Sequence, residues 1–146
     1  MSLTEPLRNH HRHCDELFAE AEEAASSNDW PRCERAFEGF RSELENHFST
    51  EEQTLFPAFE SATGMTSGPT QVMRQEHGQM RALVEQMAAA LQSRQAEPFG
   101  GACETLLILM QQHNFKEENI LYSMCDQRLA AMDDLPQRLA QGIANA

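Results

Sequence analysis

Apolar residues recur along most of the chain at spacings of three and four, the pattern of a helix that buries one stripe and leaves the rest to water. The first stripe reads Leu3, Leu7, His11, Cys14, Phe18, Ala21, Ala25, and the second Cys33, Phe37, Phe40, Leu44, His47, Glu51, Leu55. A third reads Met73, His77, Met80, Val84, Met87, Leu91, and a fourth Cys103, Leu106, Met110, His113, Glu117, Ile120, Met124. Between the stripes lie SSNDWP, TGMTSGP and EPFGG, where Asn, Asp, Gly and Pro supply caps and turns. The pattern predicts four helices at about residues 3–26, 30–62, 69–95 and 99–127. Nothing alternates with period two for long enough to make a strand. Connections this short join antiparallel neighbours, so the expected fold is all-α, an up-down-up-down four-helix bundle over residues 1–127. Residues 128–146, with Asp133, Asp134 and Pro136, read as a polar C-terminal tail with room for a short helix. Pro57 falls inside the second helix and is expected to kink it, because it removes a backbone N–H.

Every stripe also carries an ionisable residue where a hydrophobe belongs: His11, His47 with Glu51, His77, and His113 with Glu117. Four imidazoles and two carboxylates buried without partners would cost several kcal/mol each. A metal resolves the conflict, since neutral imidazoles and carboxylates are donors that iron, manganese and zinc accept, and the cation offsets the buried negative charge. The second and fourth helices repeat one string, HFSTEEQTLF from His47 and HNFKEENILY from His113, in the form H-x-x-x-E-E-x-x-L-[F/Y]. The i, i+4 spacing stacks each His over its Glu on one helix face. In the cluster His10, His11, His13, the middle residue lies on the stripe. His10 falls toward the edge and His13 faces away, so both are expected in solvent.

Length and charge narrow the partners. The 146 residues are one domain's worth of chain. With 23 acidic and 11 basic side chains, the net charge of −12 argues against nucleic acid and anionic membranes. The longest uncharged apolar run, Leu106 to Met110, is far too short to span a bilayer, and the first residues show no apolar signal segment. Cys14, Cys33, Cys103 and Cys125 form no C-x-x-C pair and read as small core residues, which fits a cytoplasmic location. Ferritin-like centres use E-x-x-H, but Leu44 and Met110 occupy the position three before His47 and His113.

Over about residues 7–127 the chain resembles hemerythrin-like, HHE cation-binding domains. The residues that carry the resemblance are the helix-one histidine followed by CDELF (14–18), HFSTEEQTLFP at His47, QEHGQM around His77 and HNFKEENILY at His113. The resemblance implies a non-haem di-iron centre with ligands His11, His47, Glu51, His77, His113 and Glu117. Its two iron ions would share an oxo or hydroxo bridge, with Glu51 and Glu117 also bridging and one open position on each metal. Manganese or zinc would suit the same donors. Oxygen-carrying hemerythrins have H-x-x-x-H on the third helix, where this chain has Arg81, and H-x-x-x-x-D on the fourth, where Glu118 stands at the aspartate's offset. Both departures shift the likeness toward the di-iron domain of iron-sulfur-cluster repair proteins and toward other HHE domains.

The implied partner is a small diatomic ligand, O2 or NO, in a sensor, store or scavenger. The alternatives are an enzyme that reduces NO or peroxide, an iron donor for cluster repair, and a metal-free interaction module. Expected walls are Phe40, Leu44, Phe48, Met80, Leu106 and Met110. Asp15 and Glu43, each four residues from a ligand histidine, are expected as outer partners. Arg81 stands between two roles, holding an anion or making a surface salt bridge, and Tyr122 suits either a binding protein or an enzyme.

Overall fold

The computed structural model describes residues 2–144. Seven helices follow in order: α1 Glu5–Ser26, α2 Trp30–Thr50, α3 Phe56–Thr63, α4 Pro69–Gln92, α5 Ala96–Lys116, α6 Tyr122–Arg128 and α7 Leu135–Ala144. Two π turns, Glu51–Leu55 and Glu117–Leu121, splice α2 to α3 and α5 to α6 into continuous rods. The result is an all-α bundle of four long rods, with no strand among the described residues. α1 packs chiefly on α2, and α4 on α5, as two antiparallel hairpins.

The rods end where turn chemistry ends them. Asn28 adopts a left-handed φ of 56°, and the next N–H, of Asp29, returns 2.9 Å to Ala24 O. The Asp29 side chain then caps α2 by accepting from Arg32 N at 3.3 Å. α3 stops at Gly64, whose φ of 72° suits a residue without Cβ.

At the kink expected near Pro57 the rod carries a π turn. In both π turns the first carbonyl accepts from a residue five positions on, Glu51 O from Phe56 N–H and Glu117 O from Tyr122 N–H. The fourth rod has no proline there, so proline is not the shared cause. Each π turn inserts one extra residue and shifts the helical phase. The fourth stripe is thereby corrected beyond Glu117: Ile120 is 52% exposed, while Leu121, Tyr122 and Cys125 are buried.

Hydrophobic packing divides into two clusters. One holds Phe18, Phe37, Phe40, Phe48, Met80, Met87, Phe99, Leu106 and Met110; the other holds Leu7, Leu55, Phe56, Phe59, Leu121, Tyr122, Leu135 and Leu139. All of the expected wall residues lie in the first cluster. The tail is more than polar: α7 lays Leu135 and Leu139, both fully buried, into the second cluster. It approaches α2 so closely that a Cβ on Gly142 would stand 2.6 Å from Thr50 Oγ1. The Asn46 side chain also donates to Ile143 O. The four cysteines are buried and unpaired, and burial pushes the thiols of Cys14, Cys103 and Cys125 up to about 12. No helix among the described residues is long and apolar enough to cross a membrane.

Candidate metal centre

Between the two apolar clusters lies an ionic layer. His11 comes from α1, His47 from α2, His77 from α4 and His113 from α5, while Glu51 and Glu117 each open a π turn; all six are buried. They form two donor groups that share both carboxylates, His11, His47, Glu51, Glu117 and Glu51, His77, His113, Glu117, with the donor atoms of each group within 4.8 Å of one another. Each carboxylate turns one oxygen to each group. Glu51 sets Oε2 3.6 Å from His47 Nε2 and Oε1 3.1 Å from His77 Nε2. Glu117 sets Oε1 3.1 Å from His11 Nε2 and Oε2 3.2 Å from His113 Nε2.

The fit to a cation can be tested on hydrogen bonding. Glu51 Oε1, His77 Nε2, His113 Nε2 and Glu117 Oε2 are fully buried and have no hydrogen-bond partner. They approach one another to 3.1 and 3.2 Å, but the N–H directions miss the oxygens. Four orphaned polar atoms would cost several kcal/mol without a common partner. A cation at the point they share satisfies all four. The group of Glu51, His77, His113 and Glu117 is therefore arranged to hold a metal ion, and the group of His11, His47, Glu51 and Glu117 sets four donors at the same spacing.

Each inward nitrogen is fixed by what holds the other side of its ring. His11 Nδ1 donates to Glu118 Oε2 at 2.8 Å, His77 Nδ1 to Glu52 Oε2 at 2.7 Å and His113 Nδ1 to Glu76 Oε1 at 2.8 Å. These contacts set the tautomer and leave Nε2 facing inward. Glu52 and Glu118 are the second glutamates of the two H-x-x-x-E-E strings. The first glutamate of each string enters the centre, and the second holds a histidine from the opposite hairpin. Glu52 is braced by Arg81 at 2.9 Å, and Glu76 by Lys116. Arg81 also pairs with Glu45 at 2.9 Å, so of its two expected roles it takes the salt bridge.

His10, expected in solvent, is 6% exposed. Its Nδ1 lies 2.8 Å from His47 Nδ1 and its Nε2 3.0 Å from Glu43 Oε2, a relay in which His47 donates to His10 and His10 to Glu43. The reason is spacing: Leu7, His10 and Cys14 also stand three and four apart, so His10 belongs to the buried stripe. His13 is half exposed, 3.5 Å from Glu43 Oε1. Glu43 therefore reaches His47 only through His10, and the outer partner of His11 is Glu118 in place of Asp15.

Tyr122 is the residue of this layer that the stripes missed. Fully buried, its hydroxyl donates to Glu51 Oε2 and lies 3.1 Å from Glu117 Oε1 and 3.4 Å from both His11 Nε2 and His47 Nε2. The [F/Y] that closes the repeated string was its only signal. The matching residue of the second rod, Phe56, stacks on His77 with ring centres 5.7 Å apart, and Phe48 covers the same imidazole at 4.0 Å.

The charges reinforce one another. Burial disfavours the charged imidazole of His11, but Glu117 and Glu118 override it and lift the pKa to about 10; Glu51 and Glu52 do the same for His77, to about 9. Burial raises Glu51 too, yet the charge of His47 and the imidazoles of His47 and His77 hold it well below the usual carboxylate range. His10 goes the other way, lowered by burial and by the charge of His47, which keeps it a neutral acceptor.

Comparison with curated proteins and with solved structures found no match. The family model described as Hemerythrin HHE cation binding domain matches residues 2–125, a span that includes every residue of the ionic layer. The chain belongs to the hemerythrin HHE cation-binding domain family.

Proposed function

We propose that the six buried residues hold two iron ions, with Glu51 and Glu117 bridging, and that the centre binds O2 or NO reversibly as a sensor, store or scavenger of a diatomic ligand. The observation that carries this reading is the split of each carboxylate between two histidine pairs, with one oxygen on each side. Iron held this way supplies an open coordination position and a reversible change of oxidation state. The chain supplies the rest. Glu52, Glu76, Glu118 and His10 lock the imidazole orientations, so little reorganisation accompanies binding. Phe48 and Phe56 wall the His77 side with hydrocarbon, which favours a small apolar guest over water.

Metal analysis of protein purified from iron-replete cells is expected to give two irons per chain, and His47→Ala and Glu117→Ala should lose them. The reduced protein should change its optical spectrum on adding O2, and again with NO. An iron-free product, or an unchanged metal content in both variants, overturns the reading.

A further inference from the structure

The two donor groups are not equivalent, and the difference lies at Tyr122. All four orphaned atoms belong to contacts with His77 and His113. On the other side the Tyr122 hydroxyl stands among the donors, 3.4 Å from His11 Nε2, 3.4 Å from His47 Nε2, 3.1 Å from Glu117 Oε1 and closer still to Glu51 Oε2. Bonds of about 2.1 Å from one octahedral ion put neighbouring donors about 3.0 Å apart. The hydroxyl is thus spaced as one more corner of the same coordination shell. Two of those contacts, to the nitrogens, are too long to be good hydrogen bonds, which leaves shared aim as their common feature.

Resting on the di-iron reading, we propose that Tyr122 is a further metal ligand, binding through its phenolate oxygen the ion held by His11 and His47. On coordination the phenol O–H bond breaks, the proton leaves to solvent and an oxygen lone pair forms the bond to the metal; no electron changes hands. Five protein donors then surround this ion, against four for the ion at His77 and His113. Phe56, five residues after Glu51 as Tyr122 is after Glu117, offers that second ion no oxygen. The small-molecule position is therefore directed to the His77 side, against Phe48 and Phe56, in place of one open position on each metal.

Tyr122 is the chain's one tyrosine, so any tyrosinate signal belongs to it. Protein loaded with ferrous iron and oxidised to the ferric state should show a visible phenolate-to-iron(III) charge-transfer band, with ring modes enhanced in its resonance Raman spectrum. Tyr122→Phe should keep the helical circular dichroism and two irons per chain yet lose both signals. Wild-type protein that binds two ferric ions and shows neither signal overturns the assignment and leaves the di-iron reading standing. Wild-type protein that binds no iron overturns both.

Discussion

An imidazole that binds a metal through Nε2 needs its Nδ1 proton accepted, or the ring turns and its basicity falls. His11 depends for this on Glu118 alone, whereas Glu52 and Glu76 are themselves braced by Arg81 and Lys116. Glu118→Ala is therefore expected to weaken metal binding by about 10–100-fold, read by competition with a chelator of known affinity. Asp15→Ala, one turn along from His11 but making no hydrogen bond to it, should leave the affinity unchanged. Equal affinity in wild type and Glu118→Ala would show that the contact does not tune the site. The buried His and Glu positions were legible because a charge on an apolar stripe contradicts the pattern around it. Their outer partners were not, since Glu118 and Glu52 reach across to other helices, and a single-helix period carries no information about which helices face each other. His10 was misplaced for a subtler reason: positions 10 and 11 both satisfy a spacing of three or four from Leu7 and Cys14, and only packing decides between them.

At the scale of elements, the two π turns set the phase of everything after Glu51 and Glu117. Each turn absorbs one residue, so deleting Asn119 should keep Leu121, Tyr122 and Cys125 on the stripe. A further alanine inserted after Asn119 should exceed what the turn takes up and rotate α6 by about 100°, swinging those three out of their buried positions. Each large apolar side chain so exposed costs about 1.5–3 kcal/mol. The urea midpoint of the insertion variant should fall accordingly, and a midpoint equal to wild type would mean that the rod takes up a second extra residue as well. Four rods and their ends could be read from sequence because capping residues and periodicity agree. A π turn could not, because its one inserted residue is invisible to a fixed 3.6-residue period, and so Ile120 was expected where Leu121 packs. The docking of α7 rests on Gly142 against Thr50. Gly142→Ala places a methyl 2.6 Å from the Thr50 hydroxyl and should cost about 1–3 kcal/mol by overpacking. Combining it with Thr50→Ala, which removes the hydroxyl and methyl it strikes, should recover part of that loss in thermal melts. A double variant no more stable than Gly142→Ala would place the strain elsewhere.

For the whole molecule, an ionic layer separates two apolar clusters, so the bundle depends on what neutralises that layer. Without metal, protons do it. His11 and His77 have folded pKa values of about 10 and 9, above the ordinary imidazole value of 6.5. A group whose pKa is raised by folding contributes its stability in full below the unfolded value and loses it as pH climbs through the folded one. Glu52, lowered from 4.5 to about 2 by His77 and Arg81 against the opposing effect of burial, contributes above 4.5 and loses its share as pH falls through about 2. The contact between His77 and Glu52 enters both shifts and counts once; Glu51 adds to the first and Arg81 to the second. Metal-free protein should therefore be most stable between pH 4.5 and 6.5 and melt progressively lower as pH rises toward 10. Metal should reverse the alkaline limb, since it takes the place of the protons and binds more tightly once the imidazoles are neutral. Free metal at 1,000 times its Kd adds about 4 kcal/mol, and at about 2–4 °C per kcal/mol for a chain of this size the melting temperature should rise by roughly 10 °C. Melting curves of chelated and metal-loaded protein from pH 5 to pH 10 give the test: the two sets should diverge with rising pH. Parallel curves would mean that the layer is neutralised by its own hydrogen bonds, and that no cation is needed to hold the two halves of the core together.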